Sequence, residues 1–197
     1  MTQTPRIAPG TRADIGPINA AIASFLQLAG GTRQPPHLFT TLARHRRLFR
    51  PWLRFAGALM PGGKLPRVDS ELVILRVAHN CHSEYESRHH ERLGPAAGLT
   101  EAQVEAIRGD DPAASGEFTG RAQLLLGAAD ELHDAREISD ELWAQLSEHF
   151  NEVELIELCM LVGHYEMLAM TLNSLRVVPD TFGSRGVPKI VRLVSRR

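Results

Sequence analysis

The sequence predicts an all-α protein, and three observations support this prediction. Apolar residues recur at intervals of three and four along most of the chain, which is the period of a helix. Turn-forming residues interrupt the recurring segments, most clearly at 61–66 and 110–120. No segment alternates polar and apolar residues for long enough to predict a strand. The length of 197 residues suits one domain with a substantial core.

The first helices are expected between residues 37 and 80. Within 37–60, Pro51 is predicted to separate two helices, because proline lacks a backbone donor and crowds the preceding turn. Asp69 or Ser70 can cap the next helix, which contains the apolar stretch ELVIL and ends near Asn80.

A further helix is predicted to begin at Ser83. Ser83 and Glu86 have the spacing of a capping box, in which two side chains satisfy free backbone donors at the helix start. Thr100 can cap a helix within 98–107. The remaining helices are predicted at 121–134, 139–150 and 151–175.

Charge and composition argue against several classes of protein and partner. The formal net charge is −1, so no overall field favours nucleic acid as a partner. Charged residues interrupt the apolar runs, and we therefore expect no membrane-spanning segment. The N-terminus lacks the apolar centre of a signal peptide, which predicts a cytoplasmic protein. Cys81 and Cys159 are far apart in sequence and are expected to remain thiols there.

Two parts of the sequence resemble each other. Trp52 precedes a helix, a loop and the stretch ELVIL, and Trp143 precedes a helix, a turn and the stretch ELIEL. The second copy leads to His164 and Tyr165, at the place where the first leads to the polar stretch 80–94. This pattern predicts an internal duplication of a helical unit.

The stretch NCHSEYESRHHERLG at 80–94 is unusually rich in reactive side chains and allows several interpretations. Glu86 and His90 lie four residues apart, so they share a helix face, either as a solvated pair or as a proton-transfer pair. His82, Glu86 and His89 form a weaker candidate for a metal site. Cys81 is a candidate redox residue, because nearby histidines and a helix N-terminus would lower its pKa.

The stretch DSELVILRVAHNCHSEYESRHH, followed by GLTEAQVEAI, resembles the carboxymuconolactone decarboxylase family, which includes the alkylhydroperoxidase D (AhpD)-like proteins. The resemblance extends over 37–178, with an N-terminal extension at 1–36 and a basic tail at 179–197. It implies an AhpD-like helical bundle, assembled as a trimer or hexamer, although a dimer is also possible. It also implies a small-molecule substrate and no cofactor.

The resemblance carries over to particular residues. The peroxidase branch has a Glu, two Cys and a His, which fall on Glu71, Ser83, Glu86 and His90. The acid and the base are therefore kept, while both thiols are replaced. A disulfide-forming peroxidase cycle needs both thiols, so it cannot operate at these positions.

The resemblance therefore favours the decarboxylase branch, a cofactor-free lyase that transfers a proton on a small carboxylated lactone or related acid. The expected catalytic residues are Glu71, Glu86 and His90, and the expected substrate contacts are Ser83, Tyr85, His164 and Tyr165. Two alternatives remain open: a peroxidase that uses Cys81 alone, and a non-catalytic protein that binds a small ligand.

Overall fold

The computed structural model describes residues 4–183, and all regular elements in this part of the chain are helices, so the all-α prediction is confirmed. The four helices before residue 60 are α1 (Arg12–Ile15), α2 (Pro17–Gly30), α3 (His37–Leu42) and α4 (Arg46–Leu59). The next three are α5 (Arg67–Asn80), α6 (Glu84–Ala97) and α7 (Glu101–Ala106). A short 3-10 helix (Pro112–Ser115) precedes α8 (Arg121–Asp134), α9 (Asp140–His149) and α10 (Glu152–Leu175).

Helix α5 lies at the centre of the fold and packs against α6, α8 and α10. Every residue from Asp69 to Ala78 is buried, so this helix has no solvent face. A helix that is covered on all sides normally carries only apolar residues. The polar residues of α5 therefore need partners inside the protein.

The junction between α5 and α6 lies where the sequence predicts it. Helix α5 ends at Asn80, and Ser83 is the N-cap residue of α6. The predicted capping box does not form, because the Ser83 N–H donates to the carbonyl of Ala78 (2.8 Å). The side chain of Glu86 instead lies buried in the protein interior. His82, between the two helices, has the left-handed φ of 50° that the reversal requires.

The predicted helix break at Pro51 is wrong, since α4 runs through this residue. The break lies at residues 43–45, where the His45 ring accepts a hydrogen bond from the Leu48 N–H (3.3 Å) and caps α4. Proline removes one hydrogen bond from a helix. Burial of Phe49 and packing of Trp52 against it favour continuation of the helix despite this loss.

Residues 178–183 pack against α6. The buried carboxylate of Asp180 accepts hydrogen bonds from the Tyr85 hydroxyl, from His89 Nε2 (2.9 Å) and from the His37 N–H (2.9 Å). The guanidinium of Arg92 lies 3.7 Å from the ring centroid of Phe182. The first part of the predicted basic tail is therefore attached to the helical bundle, whereas its basic residues at 184–197 lie outside the described residues.

Among the described residues, α10 alone is long and apolar enough to cross a membrane by length and composition. However, 56% of its most apolar window is buried against the rest of the protein. The central helix of a globular bundle has the same properties.

One face of α10 carries an exposed apolar row with the three- and four-residue spacing of a helix–helix seam. The row consists of Val153, Ile156, Met160, Met167 and Met170. Gly163, which is also exposed, continues the same spacing between Met160 and Met167. A continuous apolar row of this kind is a candidate contact surface.

We expect copies of the chain to associate through the α10 row. Replacing Ile156 and Met170 with glutamate should place charges in this contact and reduce the mass measured by light scattering at micromolar concentration to that of one chain. Leu28→Glu, at an equally exposed position on α2, is the matched control and should leave the mass unchanged. A monomeric wild type would contradict the expectation.

Candidate active site

The centre of the candidate site is the fully buried carboxylate of Glu71 on α5. Its Oε2 lies 2.6 Å from Nδ1 of His90 on α6, and its Oε1 lies 2.7 Å from the guanidinium of Arg67, one turn earlier on α5. When the His90 ring is neutral, Nδ1 donates its proton to Glu71 and Nε2 keeps a free lone pair. A carboxylate that fixes the tautomer of an imidazole in this way is typical of acid–base sites.

Helix α10 brings two aromatic residues to the same place. The ring of Tyr165 meets the His90 ring edge-on, with centroids 5.3 Å apart, and His164 packs against Tyr165 at the same distance. Burial raises the pKa of Tyr165, and the carboxylates of Glu71 and Glu86 raise it further, so the phenol keeps its proton.

His164 is enclosed by aromatic rings. It stacks on Trp52 (6.1 Å between centroids) and meets Phe55 edge-on (5.3 Å). Burial lowers the pKa of His164 to about 4, so the ring is neutral at pH 7. Its Nδ1 is buried and has no hydrogen-bond partner among residues 4–183. The Tyr165 ring therefore lies between His164 and His90, and the two histidines do not contact each other directly.

Glu86 lies on α6, one turn before His90, and only 2% of its surface is exposed. Within the described part of the chain, neither carboxylate oxygen accepts a hydrogen bond. Burial raises the pKa of Glu86 to about 8; the neighbouring Glu166 adds to the shift, and the nearby Ser83 hydroxyl partly opposes it. At pH 7 Glu86 is therefore mainly a neutral acid. No direct hydrogen bond joins Glu86 to Glu71 or His90.

The remaining predicted substrate contacts occupy different surroundings. Ser83 is buried beside Glu86, and its hydroxyl has no partner among residues 4–183. The Tyr85 hydroxyl donates to Asp180 and accepts from the Leu38 N–H (3.2 Å), so it is directed towards the C-terminal segment.

The expectation of a low pKa for Cys81 is wrong. Cys81 caps the C-terminal end of α5, where the helix dipole is negative and disfavours a thiolate. Burial raises the pKa of Cys81 to about 12, and the Glu166 carboxylate contributes to the increase. At neutral pH the thiol is therefore protonated and weakly nucleophilic.

The three residues of the weaker metal candidate do not converge. His82 is exposed in the loop between α5 and α6, the His89 Nε2 bonds to Asp180, and Glu86 is buried. These directions differ because His82 precedes the helix and so does not share its face.

The structure also shows residues that the sequence analysis missed. Arg67 contacts Glu71, and its position four residues earlier on one helix was the available signal. His133 and Glu166 contact each other (2.5 Å) near Cys81, but they lie far apart in sequence, so no local pattern indicates the contact.

A surface cleft near the site does not contain the Glu71–His90 pair. It has a volume of about 410 Å³ and lies between α5, α6 and α7, with Ser83 and Glu84 at its border. The side chain of His90 retains 11% exposure, which gives the pair a separate route to solvent.

Comparisons with known proteins agree with the helical fold. The model of the carboxymuconolactone decarboxylase family matches residues 46–131, a span that contains Glu71, Ser83, Glu86 and His90. A search of curated proteins gives no match.

Three solved structures have a similar fold. The first is an uncharacterised peroxidase-related protein with an alkylhydroperoxidase AhpD core from Ralstonia eutropha JMP134, with 16% identity, 97% of each chain covered and a TM-score of 0.75. The second is an uncharacterised peroxidase-related protein from Silicibacter sp. TM1040, with 14% identity, 91% of this chain and 95% of the other covered and a TM-score of 0.76. The third is the debrominase Bmp8 in complex with 2,3,4-tribromopyrrole, with 12% identity, 98% of this chain and 97% of the other covered and a TM-score of 0.74. At these identities the likeness shows the fold alone, and the predicted AhpD-like bundle is confirmed.

We expect Glu86→Gln to remove a pH-dependent loss of stability. The folded pKa of Glu86 is about 8 and the ordinary value is 4.5, so the folded state holds a proton that the unfolded state releases between these values. The wild type therefore loses stability as the pH rises from about 4.5 to about 8. Because glutamine does not titrate, the variant should gain stability over the wild type across this range. The gain is on the order of a few kcal/mol, since one pKa unit corresponds to about 1.4 kcal/mol.

Urea unfolding at a series of pH values measures this difference. Glu84→Gln, at an exposed position on the same helix, is the matched control, and its difference in stability from the wild type should vary little with pH. A constant difference between Glu86→Gln and the wild type from pH 5 to pH 8 would contradict the assignment.

Proposed function

We propose that the chain, whose residues 46–131 match the carboxymuconolactone decarboxylase family, is a cofactor-free lyase that acts by proton transfer on a small carboxylated lactone or a related acid. The observation that carries the proposal is the buried Glu71–His90 pair with the neutral acid Glu86 one turn away. These are the positions at which the peroxidase branch has its acid, its base and one of its thiols.

The proposed reaction breaks one carbon–carbon bond and forms one carbon–hydrogen bond. The bond between the ring carbon and the substrate carboxylate breaks, and CO₂ leaves. The electron pair remains on the unsaturated lactone as a dienolate-like anion, which then takes up a proton at carbon. No electrons are gained or lost overall, so the chemistry requires a positioned acid and stabilisation of the anion.

His90 is the proposed proton carrier. Glu71 holds Nδ1 of the ring, which leaves Nε2 directed away from the ion pair. In the proposed step Nε2 takes up a proton from solvent and delivers it to the substrate carbon after CO₂ has left. Arg67 balances the Glu71 charge, so the pair does not place an uncompensated carboxylate in the interior. Fixing the ring in advance lowers the reorganisation needed during the reaction.

Glu86 is the proposed acid. Burial keeps the carboxyl protonated near pH 7, and a neutral carboxylic acid in an apolar site can donate to a developing anion. Ser83 lies beside Glu86 in the interior. The first turn of α6 has no side-chain cap, so its backbone N–H groups are available to a substrate carboxylate.

The peroxidase alternative has less support. Ser83 and Glu86 occupy the two thiol positions, and Cys81 and Cys159 are both free cysteines. The raised pKa of Cys81 makes it a poor nucleophile towards peroxide. The similar structures described as peroxidase-related share the fold alone with this chain.

We expect His90→Gln to lower the rate of CO₂ release from a carboxylated unsaturated lactone by at least about 100-fold, because the proton carrier is lost. His89→Gln is the matched control: His89 is the adjacent histidine and is also paired with a buried carboxylate, that of Asp180. The control should lose thermal stability but keep its activity. Equal activity of the two variants would contradict the role of His90.

We also expect kcat/KM to fall as the pH rises through about 8, since Glu86 then loses the proton with which it donates a hydrogen bond to the developing anion. Glu86→Gln should lower the rate on the order of 100-fold or more and remove this limb of the pH profile. A profile that stays flat to pH 9 would assign the acid to another group.

The third possibility, a non-catalytic ligand-binding protein, gives a different result. Carboxylated lactones would then raise the melting temperature of the wild type without any release of CO₂. A robust hydroperoxide reduction that Cys81→Ser abolishes would instead favour the peroxidase alternative.

A further inference from the structure

A second cluster of reactive side chains lies outside the Glu71–His90 pair. Three helices contribute to it: Cys81 follows α5, His133 is in the last turn of α8, and Glu166 is in the middle of α10. Cys81 Sγ lies 3.9 Å from His133 Nδ1, which lies 2.5 Å from Glu166 Oε1. One sulfur, one nitrogen and one oxygen ligand atom all lie within 4.8 Å of one another.

The cluster does not have the geometry of a catalytic triad. In a triad, the nucleophile and the carboxylate contact different nitrogens of the histidine, so that the ring can relay a proton. Here the same atom, His133 Nδ1, faces both the Cys81 sulfur and the Glu166 oxygen. Three potential ligand atoms that face one point are instead the arrangement of a metal site.

The spacing of the ligand atoms fits a small tetrahedral ion after a modest adjustment. Zinc bonds of ordinary length place neighbouring ligand atoms roughly 3.3–3.6 Å apart. The sulfur–nitrogen distance of 3.9 Å is close to this range. The nitrogen–oxygen distance of 2.5 Å must increase by about 1 Å to admit the ion, which a rotation of the Glu166 side chain can provide.

Neighbouring contacts hold the cluster together. The Asn173 side chain donates to the carbonyl oxygen of Cys81 (2.9 Å), which fixes this loop against α10. The Asn80 side chain donates to Asp130 (2.7 Å), which joins the end of α5 to α8. The end of α5 is thus already connected to both α10 and α8 without an ion. A site prepared in this way loses little conformational entropy when an ion binds.

Access and charge also suit a cation. The His133 side chain is 28% exposed, so the site opens to solvent. A thiolate and a carboxylate together balance the charge of a divalent ion. The Arg136 guanidinium lies 3.7 Å from Glu166 Oε2, but its side chain is 70% exposed and can move into solvent.

We propose that Cys81, His133 and Glu166 bind a zinc-like divalent transition-metal ion, with a fourth position open to water or an external ligand. Sulfur and imidazole ligands favour zinc or cobalt over magnesium or calcium, which prefer oxygen ligands. Binding displaces the thiol proton to solvent. The site adjoins the proposed lyase site, because Glu166 neighbours Glu86, but the lyase chemistry requires no ion there.

Titration of the chelator-treated full-length protein with Co²⁺ under anaerobic conditions tests the proposal, because a thiolate ligand gives cobalt a charge-transfer absorption band. We expect saturation at one ion per chain and displacement by Zn²⁺. Cys81→Ser should abolish the band, and His133→Gln should weaken binding at least about tenfold. Cys159→Ser, which removes the other thiol, is the matched control and should keep both band and affinity.

Zinc should also raise the melting temperature of the wild type and of Cys159→Ser, but not of Cys81→Ser. Circular dichroism of each variant without metal establishes that it is folded, and Glu166→Gln provides a third ligand variant. The proposal is overturned if the wild type binds no stoichiometric ion, or if the folded Cys81 and His133 variants bind cobalt as the wild type does.

Discussion

The arrangement of the helices depends first on the burial of the Glu71 carboxylate in the central helix. A carboxylate without solvent needs partners of opposite charge or hydrogen-bond donors, and Arg67 and His90 supply them from opposite sides. Removing one partner of such a buried pair typically costs roughly 3–5 kcal/mol, because the remaining charge is left uncompensated. The pair therefore determines how α5 and α6 lie against each other, and it places the His90 ring at the same time.

A second polar contact orients α5 towards the other side of the protein. The guanidinium of Arg76 is buried, binds Asp130 on α8 and donates to the carbonyl oxygens of Ile107 and Gly109 after α7. Apolar packing alone is weakly directional, and α5 is covered by apolar neighbours on all sides. Its rotation is consequently specified by a few charged side chains, Glu71 in the first half of the helix and Arg76 in the second half.

The interior between α5, α6 and α10 is unusually polar for a helical bundle. Glu86, Ser83 and His164 each bury a polar atom that has no partner among residues 4–183. Such groups reduce stability, and native proteins mostly keep them where a ligand or a reaction uses them. The positions of Glu86, one turn from His90, and of His164, beyond Tyr165, are thus consistent with the proton chemistry that we propose, and loss of solvation explains the raised pKa of Glu86.

The sequence by itself determined most of the helices after residue 60, because periodicity and caps are local properties, but it missed α2 and misplaced the break before α4. It predicted the end of α5 and the start of α6 within a residue. Only the tertiary structure decided that Glu86 turns inwards instead of capping α6, and that the Cys81 thiol meets His133 across the bundle. Burial and long-range contacts set the desolvation and the charges around each group, and these are properties of the packed helices.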